Sequence, residues 1–192
     1  MRNKVLSVIA FSLGILLIAA SAALFAARQI QKVKNEVDIP TVVKKIEKTL
    51  PERSAGVIEK RTDNTMPSIE IDKTDFIGLL KLSGRNIKLP VGAKWDGSEF
   101  GFRPAKYLGS VYDGTLIIGG KYAADNFDFA DKLDTGEEIT FTDMTGKVFR
   151  YTVDKISHAD NAKTETLTDK DYELTLFVKK KSTFLIIRCK AA

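Results

Sequence analysis

From residue 67 onward the chain reads as short runs rich in β-branched and aromatic residues, each closed by a turn signal. The runs cover residues 68–71, 76–82, 87–91, 115–119, 138–143, 148–156, 174–178 and 184–188. Between them lie Ser83-Gly84, Asp113-Gly114, Asp134-Thr135-Gly136 and Met144-Thr145-Gly146, dipeptides and tripeptides that favour chain reversal. Several runs alternate, as Ile139 does with Phe141, and Phe149 with Tyr151 and Val153. This pattern predicts a mainly β fold: an eight-stranded, mostly antiparallel barrel, closed or nearly so, with a short helix around residues 128–133. A barrel of this size fills its interior with side chains and needs no ligand to be stable. The fold by itself therefore assigns no activity.

Ahead of the barrel, residues 5–27 carry no charge and are bounded by Arg2 and Lys4 on one side and Arg28 on the other. At ~1.5 Å per residue such a helix crosses a ~30 Å hydrocarbon layer. It predicts an N-terminal transmembrane helix. Ala20-Ser21-Ala22 leaves open the alternative of a cleaved signal peptide, and basic residues flank both ends, so the charge rule does not set the orientation. Residues 28–66 read as a partly helical stalk or linker. Ile30, Val33 and Val37 recur at helical spacing, Pro40 interrupts, and Val43, Ile46 and Leu50 resume before Pro51. The expected organisation is thus anchor 1–27, stalk 28–66 and barrel 67–192.

Charge and composition narrow the function. The chain has 30 basic and 25 acidic residues, yet residues 67–192 hold 19 of each, so the excess belongs to the N-terminal third. No basic face with interleaved aromatics appears in the barrel, which argues against nucleic acid as a partner. One Cys and one His exclude an internal disulfide and a multi-cysteine zinc site and leave little for histidine-based chemistry. No metal or cofactor is expected.

The order of the motifs resembles the sortase family. Met66-Pro67-Ser68-Ile69-Glu70-Ile71, Phe76-Ile77-Gly78-Leu79-Leu80-Lys81-Leu82, Leu89-Pro90-Val91, Tyr107-Leu108-Gly109-Ser110, Leu116-Ile117-Ile118-Gly119-Gly120 and residues 133–141 follow one another as in sortases. Residues 146–153 are similar to the family's G-x-x-Y-x-Y-x-V strand. Leu174-Thr175-Leu176-Phe177 is similar to the strand that leads into the sortase nucleophile. The resemblance implies a sortase-type β-barrel on a single-pass anchor, displayed outside the cytoplasmic membrane of a mostly Gram-positive lineage. It also implies a reaction in which a Cys thiolate attacks the Thr carbonyl of a sorting signal, a His protonates the leaving amine and an Arg stabilises the oxyanion.

Carried over position by position, the resemblance puts Lys179 where the nucleophile stands, Lys121 where the His stands and Phe184 where the Arg stands. An ammonium with an ordinary pKa of ~10.4 does not replace a thiolate, and Phe offers no hydrogen bond to an oxyanion. The sequence thus predicts a sortase-like pseudoenzyme with no catalytic residues, acting through binding or in an accessory role in cell-surface assembly. Its rival is a working cysteine transpeptidase, and a third reading is a purely structural domain. Cys189, in the last strand, reads as a small strand-end residue, and His158 as a solvated loop residue. Only residues 180–183 separate Lys179 from the last run, the length of a tight hairpin rather than of an active-site wall. Lys121, Lys179, Lys180 and Lys181 form a candidate anion- or partner-binding cluster, with Asp125 or Asp128 as internal counterions to Lys121. An anionic cell-wall polymer or a surface protein is the corresponding partner, besides the membrane itself.

Overall fold

The structure, a computed structural model, describes residues 14, 17, 18, 20, 21, 38–50, 64–95, 103–124 and 126–192. The chain divides into two compact units, Met1–Val37 and Asp38–Ala192. In the first, the five described residues are helical, and Ser21 Oγ donates to the Ile18 carbonyl at 2.8 Å. The expected membrane span, residues 5–27, otherwise lies outside the described residues, among which no helix is long and apolar enough to cross a membrane.

The second unit opens with α1 (Ile39–Thr49). The sequence reading took Pro40 as a break between two helices. It instead begins this one, because a missing N–H costs nothing in the first turn. Ile39, Val42, Val43 and Ile46 recur at i, i+3, i+4 and i+7 and bury one stripe against strands of the barrel. Lys45 pairs with Asp72 at 2.9 Å, and Glu47 with Lys88. Part of the segment read as a stalk is therefore packed on the barrel.

Among the described residues nine strands follow: β1 (Ile69–Ile71), β2 (Thr74–Leu82), β3 (Ile87–Gly92), β4 (Ala105–Leu108), β5 (Leu116–Lys121), β6 (Glu138–Asp143), β7 (Val148–Ala159), β8 (Leu174–Lys180) and β9 (Thr183–Ala191). They form one sheet in the order β1-β2-β3-β4-β5-β8-β9-β7-β6, closed by pairing of β2 with β6. The closed ring has eight strands, β2 to β9, as the sequence predicts, but its membership differs. The predicted run 68–71 is β1, which pairs only with the first residues of β2, while β4 had not been anticipated. β4 joins β3 in parallel through Gly92 and Ala105 and β5 antiparallel, and β5 and β8 run parallel. The helix expected at 128–133 is a single 3-10 turn, Ala130–Lys132. A short helix not anticipated, α2 (Thr164–Leu167), lies between β7 and β8.

Alternation decides what each strand gives to the interior. Leu116 and Ile118 of β5, Leu174, Leu176 and Val178 of β8, and Ile187 of β9 are fully buried inside the ring. Asp143, at the end of β6, is also fully buried. Its Oδ1 accepts from Thr145 N (2.9 Å), Thr145 Oγ1 (2.6 Å) and Lys147 N (3.0 Å), and its Oδ2 from Tyr112 Oη (2.7 Å). This carboxylate organises the β6–β7 turn and ties it to the 109–115 connection.

Candidate functional site

β5, β8 and β9 end together at one rim of the barrel. Lys121 is in register with Lys179 across the parallel β5–β8 pair, and Lys179 with Phe184 across the β8–β9 hairpin. Side chains of in-register partners on neighbouring strands, ~4.8 Å apart, project from the same face. The three positions that the sortase resemblance singles out are therefore consecutive members of one cross-strand row. One step back on the same face are Gly119, Phe177 and Ile186. This face is the outer one, since the alternate residues Ile118, Val178 and Leu185 fill the interior.

The anticipated lysine cluster divides by the same alternation. Lys180 falls on the other face from Lys179, where its Nζ donates to Asp131 Oδ2 at 2.6 Å and lies 4.3 Å from the centre of the Tyr122 ring. Tyr122 Oη donates to Asp131 Oδ1 at 2.9 Å. The Lys180 and Tyr122 hydrogen bonds hold the Asp131 carboxyl below the usual carboxylate range, and the same bonds raise Lys180 and Tyr122. Asp131 is thus the counterion of Lys180, a pair the sequence did not suggest and separate from the expected pairing of Lys121 with Asp125 or Asp128. Asp125 lies outside the described residues. Lys181 occupies the two-residue turn with Ser182, exposed and at φ 56°. The hairpin is as tight as its length predicts.

The only thiol lies well along β9 from this row, whereas the only imidazole is one residue from Ala159, the in-register partner of Phe184, and takes the alternate strand position. Cys189 is fully buried, paired on either side with Leu174 and Val153, and burial pushes its thiol up to about 12. His158 lies in β7 rather than in a loop, exposed and opposite Leu185. Four residues of β9 separate the two register levels, about 13 Å at ~3.3 Å per residue, so they make no dyad. Among the described residues no group of three or more His, Cys, Asp or Glu side chains is placed to hold a metal.

The outer face behind the row is covered by the chain itself. Ile117, Phe177, Ile186 and Leu167 of α2 form a second buried apolar cluster, with Trp95, Tyr107, Ala159, Ala162 and Phe184 packed against it. Trp95, Tyr107 and Phe177 are mutual ring neighbours at 5.3–6.3 Å. α2 is held down by Tyr107 Oη, 3.1 Å from Thr164 Oγ1, and by Arg188 Nη2, which donates to the Thr166 carbonyl at 2.8 Å. Neither Trp95 nor Leu167 stood out in the sequence, because each sits in a polar stretch without period. Gly119 admits the indole: a Cβ there would lie 2.6 Å from Phe177 Cε1 and 2.7 Å from Trp95 Cζ3. Gly119→Ala is expected to cost about 1–3 kcal/mol through overpacking and to move Trp95 toward water. Thermal unfolding followed by tryptophan emission checks both. An unshifted midpoint with unchanged emission would contradict the close packing described.

Solved structures identify the architecture. Sortase A from Corynebacterium diphtheriae superposes with a TM-score of 0.54 at 18% identity, over 62% of this chain and 61% of that one. Sortase C1 from Streptococcus agalactiae gives 0.54 at 22%, over 64% and 70%. The chain has a sortase-like fold. A Clostridium perfringens sortase D5 transpeptidase agrees, with a TM-score of 0.53 at 19% identity over 62% and 79%. The chain spans only about three fifths of the length of the C. diphtheriae protein. No protein-family model matches the chain, and no curated protein does. The recurrence of the fold at this identity means that the barrel is kept by burial pattern and pairing register rather than by particular side chains.

Proposed function

We propose that this chain is a membrane-anchored, surface-displayed protein of sortase-like fold that does not catalyse transpeptidation and serves cell-surface assembly by binding. The observation that carries the reading is the in-register row Lys121, Lys179 and Phe184. Acyl transfer to sulfur needs a thiolate, a proton donor for the leaving amine and a donor aimed at the oxyanion, and this row supplies two ammonium groups and a phenyl ring. The rival reading, a cysteine transpeptidase, requires the thiol of Cys189, which faces the barrel interior with its ionisation suppressed. The partner side of the proposal rests on charge. Two lysines abreast on one face, with Lys181 at the neighbouring turn, favour an anionic partner, either an acidic wall polymer or a carboxylate of a surface protein.

The test is incubation of the full-length protein with a sorting-signal peptide and an amine acceptor, read by chromatography. No cleavage and no transfer are expected, with Cys189→Ala indistinguishable from the native chain. Turnover that disappears in Cys189→Ala would establish the transpeptidase instead. Protease shaving of intact cells is expected to remove the barrel; its survival until lysis would reverse the topology.

A further inference from the structure

The apolar stripe of α1 is turned onto the barrel, so helical spacing fixes what the opposite side presents. At ~100° per residue Lys44 and Lys48 share one row facing away from Ile39, Val42, Val43 and Ile46, and both are exposed. Beside this helix the β1–β2 hairpin turns on two residues, Asp72 and Lys73, both at positive φ (51° and 64°). Such a turn ordinarily takes Asn-Gly, because a side chain in this backbone conformation is strained. Here the second position holds a third exposed lysine, and Lys45 ties the turn to the flank of α1 through Asp72 at 2.9 Å. Between the two elements runs an open groove of about 380 Å3, lined by Lys45, Lys48, Thr49, Glu70, Ile71 and Asp72. Of the neighbouring acids, Asp72 is paired with Lys45 and Glu47 with Lys88, while Glu70 and Asp75 stand opposite one another further back on the hairpin. The ammonium groups of Lys44, Lys48 and Lys73 form no ion pair among the described residues.

We propose that Lys44, Lys48 and Lys73 form a surface that rests on anionic lipid headgroups, so that the barrel is held to the membrane at α1 as well as by its N-terminal tether. This rests on the membrane-anchored reading above and goes beyond it by naming the face of the barrel that meets the lipid. A lipid surface is favoured over an acidic wall polymer by the length of the tether. Only ten residues, 28–37, separate the apolar stretch from Asp38, and a chain of that length reaches roughly 40 Å when fully extended. They add Arg28, Lys32 and Lys34 against Glu36. On so short a tether α1 meets headgroups at high effective concentration, whereas a soluble polymer has to be captured from solution. Each lysine near an anionic surface favours contact about fivefold, and headgroup phosphates entering the groove find Lys48 and Lys45 on its wall. The strained turn gains a reason as well. Glycine at position 73 would relax the backbone and remove an ammonium group from the surface.

The test uses the full-length protein reconstituted in vesicles of phosphatidylcholine alone or of an equal mixture with phosphatidylglycerol. A membrane-impermeant amine-reactive ester is added, and the rate at each lysine is read by peptide mass spectrometry. Lys44, Lys48 and Lys73 are expected to react at least about threefold more slowly on the anionic vesicles, with the exposed Lys170 of the β7–β8 connection unchanged. Salt on the order of 0.5 M is expected to abolish the difference. Lys44→Gln with Lys48→Gln is expected to remove the protection of Lys73. Lys73→Gly separates strain from contact: Tm is expected to rise by about 2–4 °C while Lys44 and Lys48 lose at least about half of their protection. Equal rates on the two vesicles, or protection that survives salt, would each overturn the proposal. So would a soluble acidic polymer that protects the three lysines on neutral vesicles as well as the anionic lipid does, which would assign the face to a wall polymer. Vesicle flotation tests the tether separately: protein that does not float refutes the anchored reading and this contact with it, whereas protein that floats with unprotected lysines refutes this contact alone.

Discussion

In the native protein Cys189 is expected to react with a thiol reagent about three orders of magnitude more slowly than in the unfolded chain. The nucleophile in such reactions is the thiolate. An ordinary thiol near ~8.5 is about a quarter ionised at pH 8, whereas one raised to about 12 by burial, with a smaller push from Asp154, is ionised to only about one part in ten thousand. Full burial adds steric exclusion. The native protein should therefore show no reactive thiol over minutes and one after denaturation. The same shift has a sign in stability. A folded-state value above the unfolded one contributes stability that is complete below ~8.5 and is lost as pH rises toward 12. Tyr151, buried and raised in the same direction, adds to the loss above ~10. Urea titrations at pH 7.5 and 10.5 are expected to differ by about 2–3 kcal/mol from Cys189 alone, and Cys189→Ala should remove that part of the slope. Rapid labelling of the folded protein would mean that the thiol is not inside the barrel.

Asp143→Ala is expected to cost about 3–4 kcal/mol, because four donors lose the charged acceptor of a fully buried side chain. For a domain of this size that is a fall of roughly 6–16 °C in Tm. Asp143→Asn should lose less than half as much, since an amide oxygen can still accept from Thr145 and Lys147 while its NH2 donates to Tyr112 Oη. Thermal unfolding of the two variants separates acceptor loss from simple truncation. Equal losses would show that the carboxylate oxygens facing the turn do not carry the energy.

What the sequence could reveal follows from the range over which each signal acts. Seven of the eight barrel strands were legible because each keeps a local apolar pattern, and the register of Lys121 with Lys179 follows from two such strands, β5 and β8, lying side by side. β4 was missed because Ala105–Leu108 is four residues long with one buried side chain, too short for a period, and it is defined by its partners β3 and β5. β7 runs three residues past its predicted end because Ser157, His158 and Ala159, which carry no alternating apolar signal, are held by pairing with β9. The split of the lysines is a matter of strand parity, which becomes visible once β8 is known to reach Lys180. The Lys180–Asp131 pair and the docking of Trp95 and Leu167 on the outer face are contacts between distant segments without periodic signature, so the sequence alone left them unassigned.

The central claim is that the row Lys121, Lys179 and Phe184 performs no acyl transfer, and intact-mass spectrometry of the full-length protein after incubation with a sorting-signal peptide addresses it most directly. The account predicts an unchanged mass, both for the native chain and for Cys189→Ala. A mass increase equal to the acyl portion of the peptide, carried by either Cys189 or Lys179, would contradict it.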